Sequence, residues 1–219
     1  MKIDRAGLPF ILGALLPAIA FAVAGHMVLA TTFFLLSLGF VLFFRDPERR
    51  ILASGNEVVS PADGRILVAG HHKGNYAPSG EWLQVSVFLS PLDVHINRAP
   101  VSGRVMGVEH QAGRFFSAYR NDAAVSNKRT EIWIDHKGQA VVCRQIVGFL
   151  ARRIVCRIKS GDDLCTGDRI GLMKFGSRMD VFLPVTADLQ VKTGQLVRGG
   201  ETVIAILSST TGTAVNVKE

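Results

Sequence analysis

The chain runs to 219 residues, 48% hydrophobic and 20% charged, with 25 Lys and Arg against 18 Asp and Glu for a net charge of +7. That length holds one domain and an additional segment. The basic balance is not that of a nucleic-acid binder, because the sequence has no basic helix, zinc-finger spacing or aromatic RNA-binding motif. Cys143, Cys156 and Cys165 are odd in number and lack metal-ligand spacing, so they read as reduced residues of a cytosolic domain, without a disulfide framework.

The additional segment comes first. Residues 6–44 contain no Asp, Glu, Lys or Arg, and His26, beside Gly25, is the one strongly polar break. Each half, 8–24 and 27–44, is close to the roughly 20 apolar residues that cross a bilayer. Lys2 and Arg5 precede the first half, and Arg45, Arg49 and Arg50 follow the second. Basic residues at both ends predict a transmembrane helical hairpin turning at Gly25-His26, with both ends on the cytoplasmic face of the cell (inner) membrane. A signal peptide cleaved at Val28-Leu29-Ala30 is a second reading, but the apolar run continues fourteen residues beyond it. Pro9 and Pro17 leave a third, a re-entrant or interfacial segment. Residues 1–50 carry five basic and three acidic side chains, residues 51–176 sixteen and eleven, and residues 177–219 four of each. The excess charge thus lies next to the membrane segment and suits anionic lipid headgroups.

After the charged exit Asp46-Pro47-Glu48-Arg49-Arg50, residues 51–219 are rich in β-branched residues punctuated by Gly, Pro, Asn or Asp. Examples are Glu57-Val58-Val59-Ser60, Arg65-Ile66-Leu67-Val68, Leu83 to Leu89, and Ala140-Val141-Val142-Cys143. This spacing predicts a mainly β (α+β) domain, a compact sandwich or barrel. Residues 146–153 supply one helical turn or a bulged strand, and residues 208–213 a loose terminus. Segments 60–66 and 189–200 look like echoes of one strand-turn-strand unit. The second resembles the Val-x-x-Gly pattern of lipoyl-type barrels, although no lysine occupies the carrier turn.

Three segments bear reactive groups. Asp63 sits in Pro61-Ala62-Asp63-Gly64, which also reads as a turn aspartate bonded to its own backbone. His95 centres the polar set after Ser90-Pro91, where a structural histidine is the bland alternative. Ser177 follows Gly176 in Phe175-Gly176-Ser177-Arg178, and a serine so placed can attack the preceding carbonyl or simply make a turn. Together they form a nucleophile, a base and an orienting carboxylate. The Gly-x-Ser-x-Gly elbow of ordinary serine hydrolases is absent from the sequence. His71, His72 and His136 read as surface residues with no carboxylate spacing for a metal.

These pieces, with Ser126-Asn127-Lys128-Arg129, Ile146-Val147-Gly148-Phe149-Leu150-Ala151-Arg152-Arg153-Ile154 and Gly167-Asp168-Arg169-Ile170-Gly171, resemble the phosphatidylserine decarboxylase proenzymes of the short, membrane-attached type. The resemblance runs over nearly the whole chain. It implies serinolysis at Gly176-Ser177, giving a large chain 1–176 and a small chain 177–219 whose first residue becomes a pyruvoyl group. That covalent cofactor, with neither metal nor pyridoxal phosphate, forms a Schiff base with phosphatidylserine, accepts electrons as CO2 leaves, and yields phosphatidylethanolamine. His95 is implied as proton donor and Asp63 as an aid to Ser177. Longer relatives have a second histidine three positions after the first; Arg98 stands there, an oxyanion or substrate contact but never a base. The resemblance leaves open an ether-linked serine lipid as substrate, and a homo-oligomer.

Gly113-Arg114-Phe115-Phe116-Ser117-Ala118-Tyr119-Arg120 alternates aromatic and basic residues. Phe115 and Phe116 are thereby candidates for gripping substrate and anionic membrane lipids, or else core-facing residues of a surface loop. A non-enzymatic, membrane-anchored lipoyl-like adaptor is the competing function, and it predicts one intact polypeptide.

Overall fold

A computed structural model describes residues 2–53, 55–72, 78–119, 123–148, 153–174 and 177–208. Helices α1 (Leu8–Val23) and α2 (Met27–Phe43) carry the apolar N-terminal run. Pro9 sits in the first turn of α1, where its missing N–H costs no hydrogen bond. Ala24 to His26 join the helices, and Gly25 takes the left-handed φ of 78° that a residue without a Cβ tolerates. The helices lie antiparallel: Phe10 meets Phe40 and Phe21 meets Phe33, each pair with ring centroids 5.6 Å apart. Ser37 Oγ donates to the Ile11 carbonyl across the seam. Leu12, Leu16, Ile19, Phe34, Leu35 and Leu38 stay exposed, an apolar surface of the kind that marks a membrane or partner contact. The stretch Arg5–Val23 is long and apolar enough to cross a bilayer, while Met27–Phe43 is shorter, 17 residues.

Among the described residues sixteen short strands follow or flank the helices: β1 (Lys2–Ile3), β2 (Arg45–Asp46), β3 (Glu57–Val59), β4 (Gly64–His71), β5 (Trp82–Leu89), β6 (Ile96–Arg98), β7 (Gly103–Gln111), β8 (Arg129–His136), β9 (Gln139–Val147), β10 (Ile154–Cys156), β11 (Asp163–Leu164), β12 (Arg169–Met173), β13 (Ser177–Pro184), β14 (Asp188–Leu189), β15 (Leu196–Val197) and β16 (Val203–Ile206). The protein is mainly β, as the spacing of its turn residues predicts. An eight-stranded antiparallel sheet in the order β11-β7-β8-β9-β13-β5-β4-β15 is its frame, beside the three-stranded sheets β10-β12-β6 and β14-β16-β3. The core gathers one face of these strands, including Val85, Val87 and Leu89 of β5 and Met179, Val181 and Leu183 of β13. Alternation sends Arg178, Asp180 and Phe182 to the opposite face.

Pairing of β1 with β2, Lys2 opposite Asp46, brings the two ends of the helix pair together beneath it. Phe43 and Phe44, at the foot of α2, pack with Val94, Ile96 and Leu172 in a second cluster. The helix pair is thus seated on sheet β10-β12-β6.

Two expectations change. Segments 60–66 and 189–200 do not repeat one another but pair with each other: Leu196 lies opposite Arg65 and Val197 opposite Gly64, and Gly200 N–H donates to the Ser60 carbonyl. His136 is buried rather than on the surface, its Nδ1–H donating to the Ser102 carbonyl at 2.6 Å. The polar Asp135-His136-Lys137-Gly138 sequence reads as an exposed loop because it holds the β8–β9 turn, whose first member folds inward. In the stretch 146–153, Ile146 and Val147 complete β9, while residues 149–152 lie outside the described residues, as does the tail beyond residue 208.

Candidate active site

Ser177 opens β13 between two partners, opposite Leu89 on β5 and Val147 on β9. It is fully buried, and its Oγ has no hydrogen-bond partner among the described residues. A buried hydroxyl left so costs about 1–3 kcal/mol. Phe175 and Gly176, the other half of the expected cleavage site, lie outside the described residues. The next residue fixes the strand. Arg178 is wholly buried, its Nε donating to Asp180 Oδ1 at 2.6 Å and its Nη2 to Ser86 Oγ at 3.0 Å on β5. Register at Ser177 is therefore pinned from both sides and from the residue after it.

The same end of the sheet carries Asp63. Because Arg65 lies opposite Phe88 and Ser177 opposite Leu89, Gly64 and Ser177 flank Leu89 two strand spacings apart, about 10 Å. Gly64 permits this: a Cβ there would stand 2.0 Å from the Phe88 carbonyl oxygen. The Asp63 carboxylate accepts both Arg49 Nη2 contacts, at 2.9 and 2.7 Å, and the Gly199 N–H at 2.7 Å. Arg49 also faces Glu201 at 3.6 Å. Asp63 thus joins the charged segment after α2 to the turn before β16, and no hydrogen bond links it to Ser177.

His95 lies on the approach to β6, 1% exposed. Its Nδ1 is 2.9 Å from the Asp93 carbonyl, which only an N–H can satisfy, so the proton sits on Nδ1 and Nε2 is the basic nitrogen. The ring packs against Phe43, centroids 4.2 Å apart. Burial pushes the imidazole down to about 4, and the Arg45 charge acts in the same direction against the opposing pull of Asp93. It is therefore neutral at pH 7. The Met173 N–H reaches the His95 carbonyl at 3.4 Å, so His95 abuts the strand that leads to the 176–177 junction.

Arg98 is committed elsewhere. Its guanidinium donates to Asp46 Oδ1 at 3.0 Å, the Gly167 carbonyl at 3.0 Å and the Pro47 carbonyl at 3.3 Å, while Arg169 takes the other Asp46 oxygen. Phe116 is clamped through its backbone by the Asn127 side chain, at 2.9 and 2.8 Å, and lies under the Arg114 guanidinium. Phe115 is partly exposed on the same loop. Among the described residues no three His, Cys, Asp or Glu side chains stand together as a metal site.

Sequence reasoning missed Arg49, Arg178 and Lys174. Lys174 places its Nζ over the rings of Phe10 and Phe44, at 4.6 and 5.7 Å, tying the segment before residue 175 to the helix pair. Burial lowers its ammonium from the ordinary lysine value, and Arg153 adds to that. Arg178 alone had a local signal, its place directly after Gly176-Ser177.

A family model described as phosphatidylserine decarboxylase matches residues 36–205. Curated relatives named phosphatidylserine decarboxylase proenzyme include one from Pelodictyon phaeoclathratiforme, 43% identical over 78% of this chain and 80% of the relative. Another, from Cupriavidus pinatubonensis, is 41% identical over 94% of this chain and 95% of its own length. A third, from Nitrosomonas europaea, is 40% identical over 93% and 94%.

Proposed function

The chain belongs to the phosphatidylserine decarboxylase family, and on that premise we propose that it is a self-cleaving precursor that turns phosphatidylserine into phosphatidylethanolamine and CO2. The observation that carries this reading is the buried Ser177 Oγ, without a hydrogen-bond partner among the described residues, at the head of a strand held on both sides. Ser177 Oγ adds to the Gly176 carbonyl and the peptide nitrogen leaves, giving an ester. Loss of the proton at the Ser177 Cα expels the 1–176 carboxylate and leaves dehydroalanine at 177. Tautomerisation, uptake of water and loss of ammonia complete the change of residue 177 into a pyruvoyl group. Ser177 fits that fate, since its main chain is fixed opposite Leu89 and Val147 while its side chain makes no hydrogen bond to another described residue. Once formed, the group supplies a ketone that accepts the substrate amine and the electrons released with CO2.

The other residues act through proton placement and fixation. Neutral His95, with Nε2 as its basic nitrogen, suits removal of the Ser177 proton better than a charged imidazole does. A substrate carboxylate beside it favours the protonated form, which then delivers a proton to the carbon that CO2 has left. Asp63, locked by Arg49 and by Gly199 of the small chain, supports the geometry around residue 177 and keeps the two chains joined after cleavage. For Arg98 we assign positioning of the membrane exit in place of a substrate contact. Phe115 and Phe116 grip the bilayer surface. The helix pair crosses the membrane from the cytoplasmic side, supported by the basic flanks Lys2, Arg5, Arg45, Arg49 and Arg50. Pairing of β4 with β15 supports a lipoyl-like arrangement around Asp63.

The test is turnover of carboxyl-labelled phosphatidylserine in mixed micelles by the purified protein. Labelled CO2 and phosphatidylethanolamine are expected from the native sequence and neither from Ser177→Ala, which stays one chain. Normal cleavage or turnover by Ser177→Ala overturns the proposal. His95→Ala separates its two roles: an uncut chain supports the base, and a cut but inactive protein supports the acid alone.

A further inference from the structure

Beside the foot of α2 lies a groove of about 310 Å³ lined by Leu36, Gly39, Phe40, Leu42, Phe43, Arg45, Pro91 and Leu92. Apart from Arg45, its side chains are apolar. From Leu36 to Phe43 it follows about 10 Å of helix, starting at the β1–β2 pair that closes the base of the helix pair. In the orientation proposed above, its lower end is at headgroup depth and its upper end among acyl chains.

Three further observations say what it holds. Gly39 occupies a mid-helix position where glycine costs about 1 kcal/mol relative to alanine, and a Cβ there would meet nothing within 4 Å. Its place in the lining keeps the groove open rather than relieving a clash. Next, Leu92 is 83% exposed on a turn that is itself tightly tied, Ser90 N–H donating to Asp93 Oδ2 and Asp93 N–H to the Ser90 carbonyl. Arg45 fastens this turn to α2 by donating to the Leu42 and Leu92 carbonyls, both at 2.7 Å. Two of its five N–H groups are so used, and the charge is left for an anion at the groove's lower end. Finally, Phe43 is a groove wall on one side and packs on the His95 ring on the other.

We propose that this groove seats one acyl chain of the phospholipid substrate, with Arg45 holding its phosphate and Phe43 placing the headgroup beside His95. The proposal rests on the decarboxylase reading and adds to it the route by which a lipid reaches the site without leaving the bilayer. By contrast, the apolar hollow farther along the helices, lined by Leu15, Ala18, Ile19, Ala22, Ala30, Thr31 and Phe34, has no cation at its edge and no link to His95.

The cleaved enzyme is assayed in detergent micelles on dioleoyl and on dihexanoyl phosphatidylserine, and the ratio of the two kcat/KM values is taken. Gly39→Phe fills the groove; Gly13→Phe, also in open space on α1, is the matched control outside it. The long-to-short ratio is expected to fall about tenfold or more in Gly39→Phe, equivalent to about 1.4 kcal/mol, and to hold in Gly13→Phe. An unchanged ratio in Gly39→Phe, or an equal fall in both variants, overturns the groove. If Gly39→Phe fails to cleave itself, Leu92→Ser on the exposed turn decides by the same ratio. Absence of CO2 release from both lipids by the native enzyme refutes the decarboxylase reading itself, a result separate from any change in ratio.

Discussion

Acidification singles out His95. In the folded protein its imidazole protonates near pH 4, against 6.5 for a free histidine, chiefly because burial disfavours the charged form. Between those values the unfolded chain binds a proton that the folded chain refuses, so stability falls as the pH is lowered from 6.5 to 4. Above pH 6.5 both states are neutral and the contribution is fully present. Each pH unit in the window is worth about 1.4 kcal/mol, so the whole interval amounts to roughly 3 kcal/mol. The comparison is between Ser177→Ala and Ser177→Ala/His95→Gln, both single chains. Unfolding is followed through Trp82 and Trp133, whose rings meet edge to face at 6.2 Å in the β domain. The first protein should lose about 3 kcal/mol more than the second between pH 7 and pH 4. A difference that stays constant within about 1 kcal/mol over that range refutes a buried, neutral His95.

Three other substitutions probe the supports of the site. Arg49→Gln removes both Nη2 contacts to the Asp63 carboxylate and should slow self-cleavage about tenfold or more, read on a gel against time, with only partial recovery in Arg49→Lys because a lysine has one nitrogen to divide between Asp63 and the Glu201 that Arg49 Nη1 faces; cleavage at the native rate contradicts the role given to Asp63. Arg98→Ala leaves the buried Asp46 with Arg169 alone and should cost about 3–5 kcal/mol in denaturant unfolding of the Ser177→Ala chain, whereas a loss below about 1 kcal/mol means that the pair holds nothing together. Phe115→Ser should reduce kcat/KM on phosphatidylserine vesicles severalfold while self-cleavage proceeds, and unchanged turnover assigns Phe115 to loop packing instead.

Local signals made part of this molecule legible. Uncharged residues 6–44 bounded by Lys2, Arg5 and Arg45 made two apolar helices joined at glycine legible, because two apolar runs of that length on either side of Gly25-His26 read as helices that pair their own backbone groups. β-Branched runs between turn residues located β3, β4, β5 and β9, and Gly176-Ser177 drew attention to the head of β13. What remained hidden depends on residues distant in sequence. Nothing near Asp63 announces Arg49 or Gly199, which lies 136 positions away. Arg49 had a sufficient explanation as a basic flank of the membrane segment, and that concealed its bond to a carboxylate. Arg98 similarly reads as a replaced histidine until its partner Asp46 is seen across 52 positions. His136 was misplaced because burial of a strand's last residue depends on what crosses it, here the Ser102 carbonyl.

Self-processing at Ser177 is the claim on which the rest stands, and intact mass spectrometry of the denatured, purified protein tests it most directly. Two chains are predicted, one matching residues 1–176 and one matching 177–219, the smaller lighter by one ammonia than a peptide beginning with serine. A single chain from folded protein, with the 176–177 bond intact, contradicts the account and leaves a membrane-anchored adaptor in its place.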